Sequence, residues 1–370
     1  MDRTGEGTGA LSGGETSVAA SPYLIAPEDL AATLGAEPGY RATQLRTWLY
    51  GTPVLDPVEM TNLPVSLREG LAGRLYPFTV DIEQRADRGS TVKWLFRTAD
   101  GASIEAVLMG YPHRTTLCIS SQAGCAMACT FCATGQFGFE RNLDAGEITA
   151  QVAYASAYLR RNGLSRGPDR LTNIVFMGMG EPLANYPRVR EALRRMIEVM
   201  GIGARAITVS TVGVVPGMRR LAAEPWQVNL AVSLHAADDV VRARLVPLNA
   251  RYPLAAVVDA AAEYAKRKGR RISIEWTLIA GVNDTPAQAA GLARIARSLR
   301  AHVNLIALNP TPLTADRPPI PETVDRFLEL LAAGGVNATL RDTRGRDIDA
   351  ACGQLRVYAA GTLSPHQPEV

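Results

Sequence analysis

The 370-residue sequence lacks any apolar run that could cross a membrane, since a transmembrane helix needs about 20 mostly apolar residues. Its first 20 residues are rich in Gly, Ser, Thr and Glu and lack the basic and apolar regions of a signal peptide. They also offer almost nothing large to bury, so we predict a disordered lead over residues 1–22. These absences argue against a membrane partner and a secretory route, and we expect a cytoplasmic protein.

The sequence also lacks a large excess of charge of either sign. The 39 Lys and Arg residues nearly balance 36 Asp and Glu residues, and the net charge of +3 is too small to predict a nucleic-acid partner by itself. Basic clusters occur at 160–170, 188–195 and 266–271, on predicted helices and at their ends. They would suit RNA, but solvated helix faces and C-terminal turns explain such clusters equally well.

Cysteine is scarce, and the five residues form an odd and mostly clustered set: Cys118, Cys125, Cys129, Cys132 and Cys352. In a reducing compartment such a set favours metal binding or catalysis over a disulfide framework. Three of them form a C-x3-C-x2-C loop, which lacks the fourth ligand of closed zinc sites and electron-transfer iron–sulfur clusters. The missing ligand leaves a metal position open for chemistry. A four-thiolate zinc site that recruits Cys118 is the alternative, but such sites usually pair two C-x2-C knuckles.

Segments with strand and helix patterns alternate through most of the chain, which predicts a parallel α/β barrel or partial barrel over residues 101–358. The predicted strands are 115–120, 173–177, 206–210, 228–234, 272–279, 303–308 and 337–341. The predicted helices are 145–162, 188–200, 218–224, 254–268, 286–298 and 349–355. Before them, residues 23–100 predict a small accessory domain, with helices at 27–34, 40–50 and 65–75 and strands at 78–85 and 91–97. Residues 359–370 are expected to form a tail.

Each informative short motif lies at or just after the end of a predicted strand. The cysteine loop follows the first strand of the barrel, and Gly178-Met179-Gly180-Glu181-Pro182 follows the second. Ser210-Thr211, Ser233-Leu234-His235 and Asn309-Pro310 stand at later strand ends. Because the carboxyl ends of parallel strands share one rim, we expect these motifs to converge there.

The cysteine loop and the Gly-Glu-Pro segment resemble the radical S-adenosylmethionine (SAM) superfamily. The resemblance implies an α/β partial (β/α)6 TIM-like barrel and a [4Fe–4S] cluster held by Cys125, Cys129 and Cys132, with the fourth iron left to SAM. It also implies that an anionic Glu181 lies at the SAM amino group, which suits an ammonium donor. The expected SAM contacts are Gly180, Glu181, Ser210, Ser233, Leu234, His235 and Asn309. Taken singly, these are ordinary turn and strand-end residues.

A closer resemblance runs from Tyr40 to Gly353. The segments at 40–45, 60–64, 117–122, 173–182 and 232–236 are similar to those of the dual-specificity RNA adenine C2-methyltransferases. This implies methylation of an adenosine in the peptidyl-transferase loop of 23S rRNA and of the adenosine beside the anticodon in tRNA. Val212 departs from the family, in which many relatives carry Ser, and we expect no change of reaction from it. A sister group methylates C8 of the same rRNA base and is the alternative.

The resemblance also assigns roles outside the cysteine loop. C2 of adenine carries no lone pair and cannot attack SAM directly, so the family uses Cys352 as a methyl carrier and radical chemistry to form the carbon–carbon bond. Glu105 would accept the C2 proton, and Cys118 would release the product by forming a disulfide with Cys352. Without the resemblance, both cysteines would be predicted as packing residues and Glu105 as a solvent-facing strand residue.

Partners follow from the same resemblance. RNA is the expected substrate, a reductase such as flavodoxin or ferredoxin the expected electron donor, and a monomer the expected state. A hypothesis from another class is a non-catalytic, zinc-stabilised RNA-binding protein that uses the basic clusters. The metal content of the purified protein separates the two, because the enzyme requires iron and sulfide.

Overall fold

The computed structural model describes residues 20–35, 37–311, 314–341, 345, 348–350 and 353–355. The predicted tail, most of the predicted lead and the methyl-carrier candidate Cys352 lie outside these residues. The predicted helix 349–355 also lies partly outside them. Among the described helices, none is long and apolar enough to span a membrane.

The described strands form one large sheet and one small one. Their bounds are β1 Phe78–Ala86, β2 Thr91–Thr98, β3 Ser103–Tyr111, β4 Arg114–Cys118, β5 Gln122–Gly124, β6 Phe139–Asn142, β7 Asn173–Phe176, β8 Ile207–Thr211, β9 Asn229–Ser233, β10 Ser273–Leu278, β11 His302–Ala307 and β12 Ala338–Leu340. The large sheet has the order β1-β2-β3-β4-β7-β8-β9-β10-β11-β12, and β5 pairs with β6. From β4 to β12 neighbouring strands of the large sheet are parallel, whereas β1 to β4 are antiparallel.

Helices connect the parallel strands as the alternating pattern predicts. Their bounds are α1 Tyr40–Arg46, α2 Val65–Leu71, α3 Ala133–Gln136, α4 Ala145–Asn162, α5 Tyr186–Arg194, α6 Val215–Ala223, α7 Asp239–Leu245, α8 Leu254–Lys268, α9 Pro286–Ser298 and α10 Pro321–Ala333. The predicted α/β class with a mostly parallel sheet is confirmed. The lists of predicted helices and strands omitted α3, α7, α10, β3 and the β5–β6 pair.

Three helices begin and end at the predicted residues because their ends carry local signals. At the start of α4, Asp144 and Glu147 form a capping box, and Gly163 ends the helix with a φ of 62°. Gly269 ends α8 in the left-handed region, and the Thr285 side chain caps the first turn of α9. Such signals are contained in a few neighbouring residues, so they can be recognised without the tertiary structure.

The strands assigned to the accessory domain pack against the barrel. The Trp94 ring on β2 lies edge-on to Tyr154 and Tyr158 of α4, at centroid distances of 5.4 and 4.9 Å. Phe78 on β1 stacks on Phe96 at 4.2 Å. The predicted boundary near residue 100 therefore falls between β2 and β3, which are hydrogen-bonded neighbours, and it stays a prediction.

Candidate functional site

A cavity lies at the carboxyl ends of the parallel strands, where the sequence predicted convergence. Its lining includes most of the predicted cluster and SAM residues: Cys125, Cys129, Cys132, Gly180, Glu181, Ser210, Ser233, His235 and Asn309. Leu234 is not among the lining residues. Its side chain is in the core, and its backbone N–H donates to the Glu275 carbonyl at 3.0 Å. Leu234 could therefore reach a ligand only through its backbone.

The cysteine loop is held on both sides by backbone contacts. Cys125 N donates to the Gly138 carbonyl at 2.7 Å, and Thr130 N donates to the Leu245 carbonyl at the end of α7 at 3.1 Å. Gly124 has a φ of 73°, and a Cβ there would lie 2.1 Å from the Gly138 oxygen. Only glycine permits this close approach of the two chains. The loop is therefore positioned by the β5–β6 pair on one side and by α7 on the other.

Burial keeps the thiols of Cys125 and Cys129 protonated in the absence of a cation. It raises the pKa of Cys125 to about 12 and raises the pKa of Cys129 well above its usual range. A bound metal reverses this effect, because thiolates are soft, anionic ligands that suit iron and zinc. The donor set of the loop therefore fits a metal group.

The described residues do not form a closed site for a single metal ion. Among the described residues, no three His, Cys, Asp or Glu side chains are arranged to hold one metal ion. A cluster in which each thiolate binds a different iron does not require the three sulfurs to converge on one point. Cys118, the candidate fourth ligand of a zinc site, is outside this lining and packs with Val107 and Met179. The loop therefore fits the expected [4Fe–4S] cluster better than a closed zinc site.

Glu181 presents a fixed carboxylate beside the cysteine loop. Leu183 N donates to its Oε1 and Val212 N to its Oε2, both at 2.9 Å. Burial nevertheless raises the pKa of Glu181 to about 7, against the lowering effect of these hydrogen bonds. The Thr211 side chain also hydrogen-bonds to this carboxylate. An arriving ammonium group would offset the cost of burial and favour the ionised carboxylate.

His235 is held as a neutral donor. It has a φ of 59°, which is uncommon for a residue other than glycine, and its Nδ1 accepts a hydrogen bond from Thr277 N at 3.0 Å. Burial, with a smaller effect of the Arg242 charge, lowers the pKa of His235 to about 3. Since Nδ1 is an acceptor, the proton of the neutral ring lies on Nε2. The imidazole thus offers one N–H donor and no charge near neutral pH.

His235→Gln should weaken SAM binding about tenfold, because one buried hydrogen bond and its oriented donor are lost. The ratio of wild-type to variant affinity should stay constant between about pH 6 and 8, since His235 does not titrate there. Calorimetric titration of the protein with SAM at several pH values measures both quantities. His113 is exposed, and His113→Gln should bind SAM like the wild type. An affinity ratio that changes with an apparent pKa near 6.5 would contradict the neutral assignment.

Two buried side chains that the sequence analysis missed tie the strand ends together. Arg242 on α7 donates to the carbonyls of Val212 at 2.6 Å and Leu234 at 3.2 Å. Asn283 donates to the carbonyls of His235 at 2.8 Å and Thr277 at 2.7 Å. Asn283 could have been suspected, because it follows β10 as the other motifs follow their strands. Arg242 carries no comparable local signal.

Glu105 and Cys118 lie on neighbouring strands away from the cavity lining. The Glu105 side chain is 1% exposed, so its interpretation as a solvent-facing residue is wrong, and its Oε2 lies 3.1 Å from Lys93 Nζ. Cys118 ends β4 opposite Val107 of β3 and packs in one cluster with Ala350 and Leu355. The structure shows no disulfide bond among the four cysteines that it describes.

The residues on either side of Cys352 approach both parts of the site. Ala350 and Leu355 pack in the cluster that contains Cys118. Gly353 lines the cavity, and its carbonyl accepts a hydrogen bond from Ala133 N, directly after the cysteine loop, at 2.8 Å. The described flanks of Cys352 thus lie between the cysteine loop and Cys118.

Comparisons with known proteins agree with this site. The family model described as the radical SAM superfamily matches residues 119–293. A protein named probable dual-specificity RNA methyltransferase RlmN from Salinispora tropica is 52% identical over 340 residues, covering 90% of this chain and 91% of that protein. A protein of the same name from Thermobifida fusca is 50% identical over 341 residues, covering 90% and 92%.

A solved structure agrees as well. The crystal structure of a radical SAM methyltransferase from Sphaerobacter thermophilus matches with a TM-score of 0.85 and 50% sequence identity, covering 91% of this chain and 99% of that one. Both resemblances predicted from the motifs are thereby confirmed. The chain belongs to the RlmN family of dual-specificity RNA methyltransferases within the radical SAM superfamily.

Proposed function

We propose that this protein methylates C2 of an adenosine in the peptidyl-transferase loop of 23S rRNA and of the adenosine beside the anticodon in tRNA. The observation that carries the proposal is the placement of the flanks of Cys352 between the cysteine loop and Cys118. A carrier thiol must reach both the site of methyl loading and the thiol that releases the product, and these flanking residues approach both. The likeness to RNA methyltransferases over nine-tenths of the chain supports RNA as the substrate.

The cofactor site uses residues from five strand ends. Cys125, Cys129 and Cys132 would hold the cluster, and Glu181 would accept from the SAM ammonium group. Ser210, Ser233, His235 and Asn309 would hydrogen-bond its remaining polar groups, with Gly180 and the Leu234 backbone beside them. When bound, the cluster and SAM supply the methyl group and the one-electron chemistry that the electrophilic carbon C2 requires.

The protein supplies the carrier, the base and the release step. The Cys352 thiolate would take the methyl group, and one hydrogen atom of that S-methyl group would pass to the radical that bound SAM supplies. The remaining carbon would bond to C2, which leaves a methylene bridge between the Cys352 sulfur and the base. The Glu105 carboxylate would then accept the C2 proton, while the unpaired electron would return to the bound cluster. The Cys118 thiolate would attack the Cys352 sulfur, so that a disulfide forms and the carbon–sulfur bond breaks toward carbon, which takes up a proton to become the methyl group.

Mass spectrometry of nucleosides tests the reaction and its position. Ribosomal RNA and tRNA are incubated anaerobically with the reconstituted enzyme, SAM and a reductant, and the RNA is digested to nucleosides. We expect 2-methyladenosine from both substrates. Formation of 8-methyladenosine without 2-methyladenosine would assign the protein to the C8 reaction, and a colourless protein with zinc but no iron or sulfide would support the RNA-binding hypothesis. The predicted monomer and the flavodoxin or ferredoxin donor belong to the same proposal.

A further inference from the structure

The strand β2 carries a lysine in its buried interior. Lys93 lies between Val92 and Trp94, both fully buried, and its own side chain is 3% exposed. A buried ammonium is costly unless each of its N–H groups has a partner. The partners of Lys93 therefore show what this side chain is for.

The three donors of the Lys93 ammonium reach three acceptors on two separate parts of the chain. One is Glu105 Oε2 at 3.1 Å, on β3, where Glu105 stands opposite Leu95 and diagonal to Lys93. The other two are the carbonyl oxygens of Ile348 at 3.2 Å and Asp349 at 3.1 Å. Lys93 thus bridges the proposed proton acceptor and the backbone a few residues before Cys352.

Other contacts show that this backbone segment is docked at the same place. Ala350 N donates to the Gly345 carbonyl at 2.9 Å, and Gly345 N donates to the Asp87 carboxylate at 3.1 Å. Asp349 has a φ of 50°, so the backbone turns sharply between the two carbonyls that Lys93 holds and Ala350. The segment is a turn docked on β2 and on the loop before it.

We propose that Lys93 is a positioning residue that holds the Ile348–Ala350 turn, which precedes the proposed carrier Cys352 in the sequence, beside Glu105. The proposal rests on the proposed function for the roles of Cys352 and Glu105. A buried ion pair is often no more stable than a well-packed apolar pair of similar volume, so stability alone does not require Lys93. An apolar pair could not replace the two hydrogen bonds that Lys93 donates to the carbonyls of Ile348 and Asp349.

Alkylation of Cys352 tests the positioning role without RNA. The reconstituted protein with its cluster is treated with iodoacetamide, and the unmethylated Cys352 peptide is followed by mass spectrometry. Lys93→Met keeps most of the length of the side chain but removes all donors, and it should raise the alkylation rate about tenfold because the turn loses two of its anchors. The control is Arg97→Met on the same strand, where Arg97 pairs with Asp81 and should leave the rate unchanged.

A double variant separates positioning from core stability. Lys93→Met removes the ion pair between Lys93 and the buried Glu105 carboxylate, which could unfold the protein, whereas K93M combined with E105L places an apolar pair there. We expect the double variant to fold and to alkylate at Cys352 as fast as K93M, since the two carbonyls still lack their donor. If Cys352 is alkylated at the wild-type rate in both variants, or in the double variant alone, the Lys93–Glu105 pair only stabilises the core. Either result would overturn the proposal.

The rates of methyl transfer and of SAM cleavage provide a second test. K93M should reduce methyl transfer to RNA about 100-fold, as expected for a displaced reacting group, while reductive cleavage of SAM stays within about twofold of the wild type. If the wild type itself transfers no methyl group to RNA, the proposed function fails and the alkylation arm still decides the role of Lys93. If the wild type transfers and K93M transfers equally well, the positioning role alone is wrong.

Discussion

Cys352→Ala should abolish methyl transfer to RNA and leave reductive cleavage of SAM intact. The cavity that would hold the cluster and SAM is lined mainly by strand ends and by the cysteine loop, and contacts such as Val212 N to the Glu181 carboxylate and Thr277 N to the His235 ring hold these strand ends. Removing the carrier thiol takes away an obligatory covalent step, so the loss of methylated product should exceed about 1000-fold. Liquid chromatography of 5′-deoxyadenosine and mass spectrometry of 2-methyladenosine measure the two activities in one reaction.

Cys129→Ala is the matched comparison, because it also deletes one thiol but should lose both activities. Cys129 is 5% exposed and lines the cavity, and its thiolate is one of the three ligands that we propose for the cluster. The variant should also lose the brown colour and the iron content of the wild type. Methyl transfer by C352A at a measurable rate, or SAM cleavage by C129A at the wild-type rate, would contradict the separate roles of the two thiols.

The convergence of the site could be predicted because it depends on a general property of parallel sheets. Ser210 lies near the end of β8 and His235 follows β9, and the ends of parallel strands meet at one edge whatever the contacts between them. The bounds of α4 and α8 were predictable for a similar reason, since Gly163 and Gly269 end these helices through their own backbone conformation.

The residues that were missed or misjudged depend on contacts between distant parts of the chain. Arg242 holds a carbonyl 30 residues earlier, and Lys93 holds one 255 residues later. Glu105 alternates with apolar neighbours and so resembles a solvent-facing residue, but β3 lies between β2 and β4, and Lys93 lies at hydrogen-bond distance from its carboxylate. A single sequence contains no local signal for such pairs. The helix α10 was missed for a different reason. It begins with a proline in a proline-rich stretch, which resembles a loop, although proline suits the first helical position.

Cys118→Ala should trap the enzyme on its RNA. If the carbon carried by Cys352 bonds to C2 while still attached to sulfur, the protein and the RNA are joined until a second thiol attacks that sulfur. Cys118 is suited to the attack because it packs with Ala350 and Leu355, which flank Cys352 on both sides. A denaturing gel should therefore show a retarded enzyme band that collapses to the free protein after nuclease treatment, with release of methylated RNA falling at least about 100-fold.

Val107→Ala is the control for this variant. Val107 lies opposite Cys118 in the β3–β4 register and belongs to the same buried cluster, so shortening it disturbs the packing while keeping the thiol. It should lower stability by about 1–2 kcal/mol and accumulate no adduct. An adduct in V107A as well would mean that disturbed packing, and not loss of the thiol, slows release. Absence of any adduct in C118A, with methylated RNA still formed, would show that a thiol other than Cys118 or a different reaction resolves the bridge, and the Cys118 assignment would be withdrawn.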